Sequence, residues 1–187
     1  MRNAAFLLPL LLTAAAPAFA AEAVSVPAFR SVELRGGGDV VVRPGPQQRV
    51  VIFNGSTQFT RFHMRNSGQL VIDACNERCP RHYDLRIEIQ SPAAPDVAIQ
   101  GGGAIVAAPG FAPQSQLSAA VDGGGLIDVR AISATNVNAA VDGGGKILSG
   151  RSARLTAAVE GGGEIRYASS GNVTMAVNGG GLVRQGN

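Results

Sequence analysis

The fold is decided by a repeated stretch: AAVDGGGLI at residues 119–127, AAVDGGGKI at 139–147, AAVEGGGEI at 157–165 and MAVNGGGLV at 175–183. Two earlier and weaker copies are VAIQGGGAI at 97–105 and VELRGGGDV at 32–40. The four strong copies follow one another at intervals of 20, 18 and 18 residues. A period of this length is typical of chains that stack one structural unit on the next.

Apolar and polar residues alternate before each glycine triplet. In the third strong copy, Leu155 and Val159 share one parity, and Thr156 and Glu160 share the other. A period of two indicates a strand with one buried face. The triplet then supplies a corner where the backbone takes a positive φ or packs against other backbone. We therefore predict an all-β chain folded as a parallel β-helix, or β-solenoid, with GGG corners.

Stacked units would place like residues in inward columns, with neighbouring strands ~4.8 Å apart. The predicted columns are Val121, Val141, Val159 and Val177; Ile127, Ile147, Ile165 and Val183; and Leu117, Val137, Leu155 and Val173. Residues 22–100 contain strand-like segments with less regular spacing. They are expected to form less regular N-terminal coils and a cap.

The first 20 residues, MRNAAFLLPLLLTAAAPAFA, have the pattern of a secretory signal peptide. Arg2 precedes a short apolar core, and Ala18-Phe19-Ala20 is an A-x-A cleavage site before Ala21. Residues 21–187 would then form a single domain, and no later apolar run is long enough to be a transmembrane segment. The sequence predicts an exported protein that is periplasmic, secreted or on the cell surface.

The net charge excludes one class of partner. The chain carries a formal charge of +3, and its cations are spread singly with few aromatic residues between them. Nucleic-acid binding requires clustered Lys and Arg together with stacking side chains. We therefore expect no nucleic-acid partner.

Cys75 and Cys79 are the only cysteines. Two nearby thiols in an exported protein most often form a structural disulfide, and we predict one here. An alternative is a zinc site in which His82 and His63 complete the ligand set, although the spacing is not a standard one. Redox activity and free thiols are further alternatives, and the C-x2-C pattern of redox motifs is missing from the sequence.

An acidic residue precedes three of the six triplets. Asp122, Asp142 and Glu160, followed by Asn178, would stack in one outward column. Carboxylates so close together are unfavourable unless solvent or a cation screens them. We expect a solvated acidic edge and no cofactor. Calcium, which binds carboxylates and carbonyl oxygens, is the alternative, with these three acids as its candidate metal ligands.

The predicted outer strand face carries small, mostly uncharged side chains. They are Ser118, Ala120, Asn138, Ala140, Thr156, Ala158, Thr174 and Ala176. No nucleophile elbow or phosphate-binding loop is present in the sequence. We therefore expect no catalytic residues and a non-enzymatic binding or structural role, with a glycan, cell-wall or protein ligand. The alternative is a carbohydrate-active β-helix enzyme, a polysaccharide lyase or hydrolase.

The last repeat unit presents an uncapped strand edge. Such an edge pairs readily with another chain, so self-association through the C-terminal coil is expected.

The order of the strand-like segments resembles a known bacterial family. The sequence contains FRSVELRGGGDVVV, then GQLVID, then DLRIEIQSP, then VAIQGGGAI. Over about residues 27–187 this order is similar to the family described as "putative auto-transporter adhesin, head GIN domain", a domain of unknown function. The resemblance implies a right-handed β-helix and a cell-envelope location. It carries over no catalytic or binding residues.

Overall fold

The computed structural model of the chain describes residues 21–76 and 78–186, without the side chains of Ser169 and Ser170. The predicted signal peptide, residues 1–20, lies outside the described residues. Within them the regular structure consists of strands only. The strands are β1 (Glu22–Val24), β2 (Ser31–Arg35), β3 (Asp39–Pro44), β4 (Arg49–Asn54), β5 (Arg61–Arg65), β6 (Gln69–Asp73), β7 (Arg86–Ser91), β8 (Asp96–Gly101), β9 (Ala104–Ala107), β10 (Gln114–Gly123), β11 (Leu126–Val129), β12 (Ala134–Gly143), β13 (Lys146–Gly161), β14 (Glu164–Asn178) and β15 (Leu182–Gln185).

The strands form one open, mixed sheet, and this corrects the predicted architecture. The 15-stranded sheet has the order β1-β4-β7-β3-β9-β11-β13-β12-β10-β8-β2-β6-β5, and β14 and β15 branch from β13. The pairs β1/β4, β4/β7 and β5/β6 are antiparallel, whereas the other pairs are parallel. The prediction of a regular right-handed parallel β-helix is therefore wrong.

A short turn shows why the N-terminal part departs from parallel pairing. Asn66, Ser67 and Gly68 connect β5 to β6, and the Gly68 amide donates to the Arg65 carbonyl over 2.9 Å. Parallel neighbours need a crossover of a dozen or more residues, so strands joined by three residues can pair only antiparallel. Gly68 has a φ of +77°, as expected at the end of a three-residue hairpin loop.

The repeat units themselves stack in parallel and in register, as predicted. Val121 of β10 lies opposite Ile99 of β8 and Val141 of β12, and Val141 lies opposite Val159 of β13. The opening glycines of the triplets follow the same register, from Gly101 through Gly123, Gly143 and Gly161. One ladder of strands therefore runs through β2, β8, β10, β12 and the C-terminal parts of β13 and β14.

A second ladder contains the short strands that follow the triplets. Ile105, Ile127, Ile147, Ile165 and Val183 lie opposite one another along β9, β11, β13, β14 and β15. The long strands β13 and β14 belong to both ladders. The first residues of each strand pair within the second ladder, and the last residues pair within the first ladder. Side chains from both ladders pack together in one buried cluster.

The inward columns are buried in every unit except the last. Val141 is 2% exposed and Val159 is 1% exposed, but Val177 in the same column is 44% exposed. Leu155 and Ile165 are likewise buried, and Val173 and Val183 are only partly buried. The predicted core columns are therefore confirmed, with the exception of their final members.

Two glycines of each regular triplet are sterically required. Gly143 has a φ of +107°, and a Cβ there would lie 2.8 Å from the Gly123 carbonyl oxygen. A Cβ on Gly145 would lie 2.4 Å from Cγ1 of Val121. Gly144, between them, has open space around its Cα, and the structure gives no steric reason for its being glycine. The triplets are thus corners whose first and last residues permit close stacking.

Candidate binding face

The outward side of the first ladder is a flat face of small side chains. Alternation along β8, β10, β12 and β13 turns Ala98, Ala120, Ala140 and Ala158 outward, and they lie opposite one another in register. Their neighbours one column away are Ser118, Asn138 and Thr156. The predicted row of small, uncharged outer side chains is confirmed. We call the surface built on these four alanines the alanine face.

The predicted acids line one side of the alanine face. Asp122 lies opposite Asp142, and Asp142 lies opposite Glu160, each at the residue before a glycine triplet. All three side chains are exposed. Gln100 continues the column on one side, and Asn178 continues it on the other. The structure therefore brings the three sequence-predicted acids into one column, which we call the acidic column.

A shallow cavity of about 470 Å³ lies over the alanine face. Its lining includes the four alanines, the acidic column, Gln100 and Glu33. Glu33 is only 7% exposed, and it accepts from Arg35 at 2.6 Å and pairs with Arg65 at 3.0 Å. Buried charges need such partners, because an unpaired carboxylate would be strongly destabilising. The cavity thus has free carboxylates along one side and a neutralised carboxylate at one end.

The acidic column contains the three carboxylates that were considered as candidate calcium ligands. Among the residues that the structure describes, no three His, Cys, Asp or Glu side chains are grouped so that they could hold a metal ion. The column holds one carboxylate per strand, with strands ~4.8 Å apart, and these carboxylates point into solvent. Calcium binding by Asp122, Asp142 and Glu160 stays a prediction for experiment.

Neutralising the middle acid should stabilise the protein. Asp142 has an acidic neighbour on both sides, so we expect Asp142→Asn to raise the free energy of unfolding by about 0.5–1 kcal/mol at low salt. Asp122→Asn is the matched control with one acidic neighbour, and it should give about half that gain. Chemical denaturation with and without calcium measures both. A loss of stability in Asp142→Asn only when calcium is present would instead establish a cation site.

A disulfide joins Cys75 and Cys79 in the loop between β6 and β7. The loop is anchored beside it by Tyr83, whose hydroxyl lies 2.7 Å from the Thr60 hydroxyl and whose ring meets Phe59 edge to face. His63, which the zinc alternative required, lies on β5 and its Nδ1 is 3.4 Å from a carboxylate oxygen of Asp73. The disulfide leaves neither sulfur as a thiolate ligand.

A charged cluster that the sequence analysis missed lies on the outward side of the second ladder. Glu164 of β14 is contacted by Lys146 at 2.7 Å, Arg166 at 2.6 Å and Arg184 at 2.8 Å. Hydrogen bonds from Arg166 and Lys146 are the main cause of a lowered Glu164 pKa, which falls to about 2. The repeat period contains the signal for this cluster, because it places Lys146 beside Glu164 and Arg166 beside Arg184.

The Glu164 cluster should make the free energy of unfolding depend on pH in the acid range. A pKa lowered from 4.5 to about 2 means that the stabilisation is present above pH ~4.5 and is lost as the pH falls through about 2. Because the cluster faces solvent, we expect Glu164→Gln to cost only about 1 kcal/mol at pH 7. Denaturation curves from pH 7 to pH 2 should therefore converge for the two proteins at the acid end. A constant difference across that range would contradict this explanation.

A second acid on the same side, Asp128, also has a lowered pKa. Burial raises the pKa of Asp128, but hydrogen bonds and the charge of Arg130 outweigh burial, so the pKa lies below its ordinary value. Two of these contacts join Arg130 Nε and Nη2 to the carboxylate at 2.9 and 2.6 Å. The second ladder therefore presents paired charges, whereas the acidic column of the first ladder faces solvent.

These features define an all-β protein of stacked Gly-cornered strands that presents a flat face with a row of carboxylates. The family described as "putative auto-transporter adhesin, head GIN domain" matches residues 28–185. Because this match spans most of the sequence, the chain belongs to that family. The comparison with curated proteins found no match to this chain.

Several solved structures are similar over most of their length. A putative adhesin from Bacteroides fragilis is 17% identical, with 88% of this chain and 95% of that chain covered and a TM-score of 0.45. A putative lipid binding protein from Parabacteroides distasonis is 10% identical, with 89% and 96% covered and a TM-score of 0.47. A putative adhesin from Parabacteroides merdae is 13% identical, with 90% and 96% covered and a TM-score of 0.43. Sequence identities and TM-scores as low as these do not support transferring the functions in those names to this chain.

Within the part of the chain that the structure describes, there is no helix of the length and hydrophobicity needed to cross a membrane.

Proposed function

We propose that the protein is an exported, non-enzymatic member of its family that binds a cell-envelope partner along the alanine face. The observation that carries this proposal is the shallow cavity of about 470 Å³ lined by Ala98, Ala120, Ala140 and Ala158. Small side chains let a flat or extended partner approach the backbone closely over several strands. The adhesin description of the family supports a role in attachment at the cell surface or in the periplasm.

The acidic column decides which partners fit best. Three exposed carboxylates on neighbouring strands produce a negative edge along the cavity. Complementary charge speeds encounter and selects partners, and salt weakens it. The face is therefore suited to a glycan, cell-wall polymer or protein segment that carries positive charge, and binding should weaken as salt increases.

We also propose that the chain self-associates through its C-terminal strands.

Binding can be tested with one substitution on the face and one away from it. Ala140→Tyr fills the middle of the cavity, whereas Ala112→Tyr adds the same ring at an exposed position outside the cavity lining. The exported chain, residues 21–187, is applied to immobilised peptidoglycan, a glycan array and native envelope extract. We expect retention of the unmodified protein and of Ala112→Tyr, and loss of retention for Ala140→Tyr.

The outcomes also separate binding from catalysis. Equal retention of the two variants would remove the alanine face from the proposal. Turnover of a polysaccharide that is abolished by Asp142→Asn would overturn the non-enzymatic role and favour a carbohydrate-active enzyme. A matched measurement with Asp128→Asn, an acid on the second ladder, reports any general effect of removing a carboxylate.

A further inference from the structure

The last repeat unit exposes core positions along an uncovered strand edge. Val173–Asn178 of β14 pair with β13 on one side, and β15 pairs only with the earlier part of β14, at Glu164–Tyr167. Within the part of the chain that the structure describes, no strand pairs with the other side of Val173–Val177. Met175 is 51% exposed there, whereas Ala157, the preceding member of its column, is 1% exposed.

Two other free edges of the sheet, β5 and β1, are protected in ways that this edge is not. β5 carries exposed Arg61, His63 and Arg65, and β1 is only three residues long. Charged and very short edge strands are the usual defences against pairing with another chain. The segment Val173–Asn178 contains no charged residue and no proline. Moreover, Asn178 occupies the position that is acidic in the three preceding units.

We propose that this edge pairs with the same edge of a second copy, antiparallel, about a two-fold axis centred on Met175. In that register Met175 faces Met175 of the second copy, Val173 faces Val177, and Thr174 faces Ala176. A two-fold axis normal to the sheet keeps the buried face of both copies on one side. The apolar columns of one copy therefore meet those of the other, and no charges are opposed.

The same edge of a second copy fits this edge better than the cationic β5 edge does. The cationic β5 edge would meet a neutral segment that offers no carboxylate to its arginines. By contrast, the symmetric register pairs every apolar residue of Val173–Val177 with an apolar residue or a threonine methyl group. Cross-strand apolar pairs and main-chain hydrogen bonds are the interactions that stabilise a sheet. The pairing does not depend on whether the alanine face binds a partner.

The first experiment measures the mass of the exported chain, residues 21–187, over a concentration series by light scattering or sedimentation. We expect a monomer–dimer equilibrium. Met175→Lys would place two like charges opposite each other, and we expect it to weaken dimerisation on the order of 100-fold. The control Phe53→Lys changes an equally exposed apolar residue away from the edge, 52% exposed, and should leave the equilibrium unchanged.

Cysteine cross-linking tests the register. Met175→Cys places the new thiol opposite itself, within the Cα separation that a disulfide requires, whereas Thr174→Cys lies opposite Ala176. We expect rapid intermolecular disulfide formation for Met175→Cys, slow formation for Thr174→Cys alone, and rapid formation when Thr174→Cys is mixed with Ala176→Cys. Phe53→Cys reports the rate of random collision.

Several results would overturn the proposal. They are a protein that is monomeric at all concentrations, a dimer that Met175→Lys leaves intact, a series of higher oligomers, and cross-linking of Met175→Cys that is no faster than that of Phe53→Cys. The proposed binding face is tested separately through Ala140→Tyr, so the failure of one proposal can be distinguished from the failure of the other.

Discussion

Replacing Gly143 with alanine is expected to lower the free energy of unfolding by about 3 kcal/mol. The backbone at Gly143 has a φ of +107°, which residues with a side chain rarely adopt. An added Cβ would also lie 2.8 Å from the Gly123 carbonyl oxygen, which is part of the neighbouring corner. That oxygen accepts a hydrogen bond from the Gly144 amide at 3.0 Å, so it cannot move away without a further loss.

Gly144 provides the matched control for this substitution. It is adjacent in sequence, and a Cβ there would meet no atom within 4 Å. We expect Gly144→Ala to change stability by less than about 0.5 kcal/mol, as is usual for surface substitutions. Urea denaturation of the two variants makes the comparison. Equal effects at Gly143 and Gly144 would show that the corners do not stack as described.

The second large effect is expected from truncating a core column. Val141 is 2% exposed between Val121 and Val159, so Val141→Ala should lower the free energy of unfolding by about 2 kcal/mol. Val177→Ala makes the same chemical change in the same column, but Val177 is 44% exposed. Its cost should therefore be below about 0.5 kcal/mol in the monomer.

This comparison should be made in the Met175→Lys background, because self-association would bury Val177 and add to its cost. Urea denaturation again gives the two values. A cost for Val177→Ala as large as that for Val141→Ala would mean that the last unit is covered within the monomer, contrary to the structure. A negligible cost at both positions would remove the column from the core.

The repeat made the stacking of the C-terminal units predictable, but it left the N-terminal strand directions open. Similar motifs 18 to 22 residues apart place Val121 beside Val141 by simple succession. No such succession relates β1, β4 and β5 to their neighbours. Their directions follow from short connections such as Asn66–Gly68 and from which strands remain available to pair. The repeat therefore could not predict the three antiparallel pairs, and the predicted β-helix was wrong for that reason.

The candidate face was predictable to a similar extent. The alternation before each triplet placed the alanines outward and the acids in one column, and both placements are confirmed. The partners of Glu33 were not predictable, because Arg65 reaches it from β5, a strand whose pairing the repeat does not determine. The Glu164 cluster could have been predicted from the same period. That prediction needed the residues after the triplets to be aligned between units, as well as those before the triplets.

The most direct test of the account is a set of nuclear Overhauser contacts between backbone protons of the isotopically labelled chain. Parallel, in-register units predict contacts between residues separated by a constant number, with residues 119–123 contacting residues 20 positions later and residues 137–143 contacting residues 18 positions later. Contacts between residues whose numbers have a constant sum would instead show the Gly-cornered units folded as antiparallel hairpins. That result would contradict the stacking on which the columns, the alanine face and the terminal edge all depend.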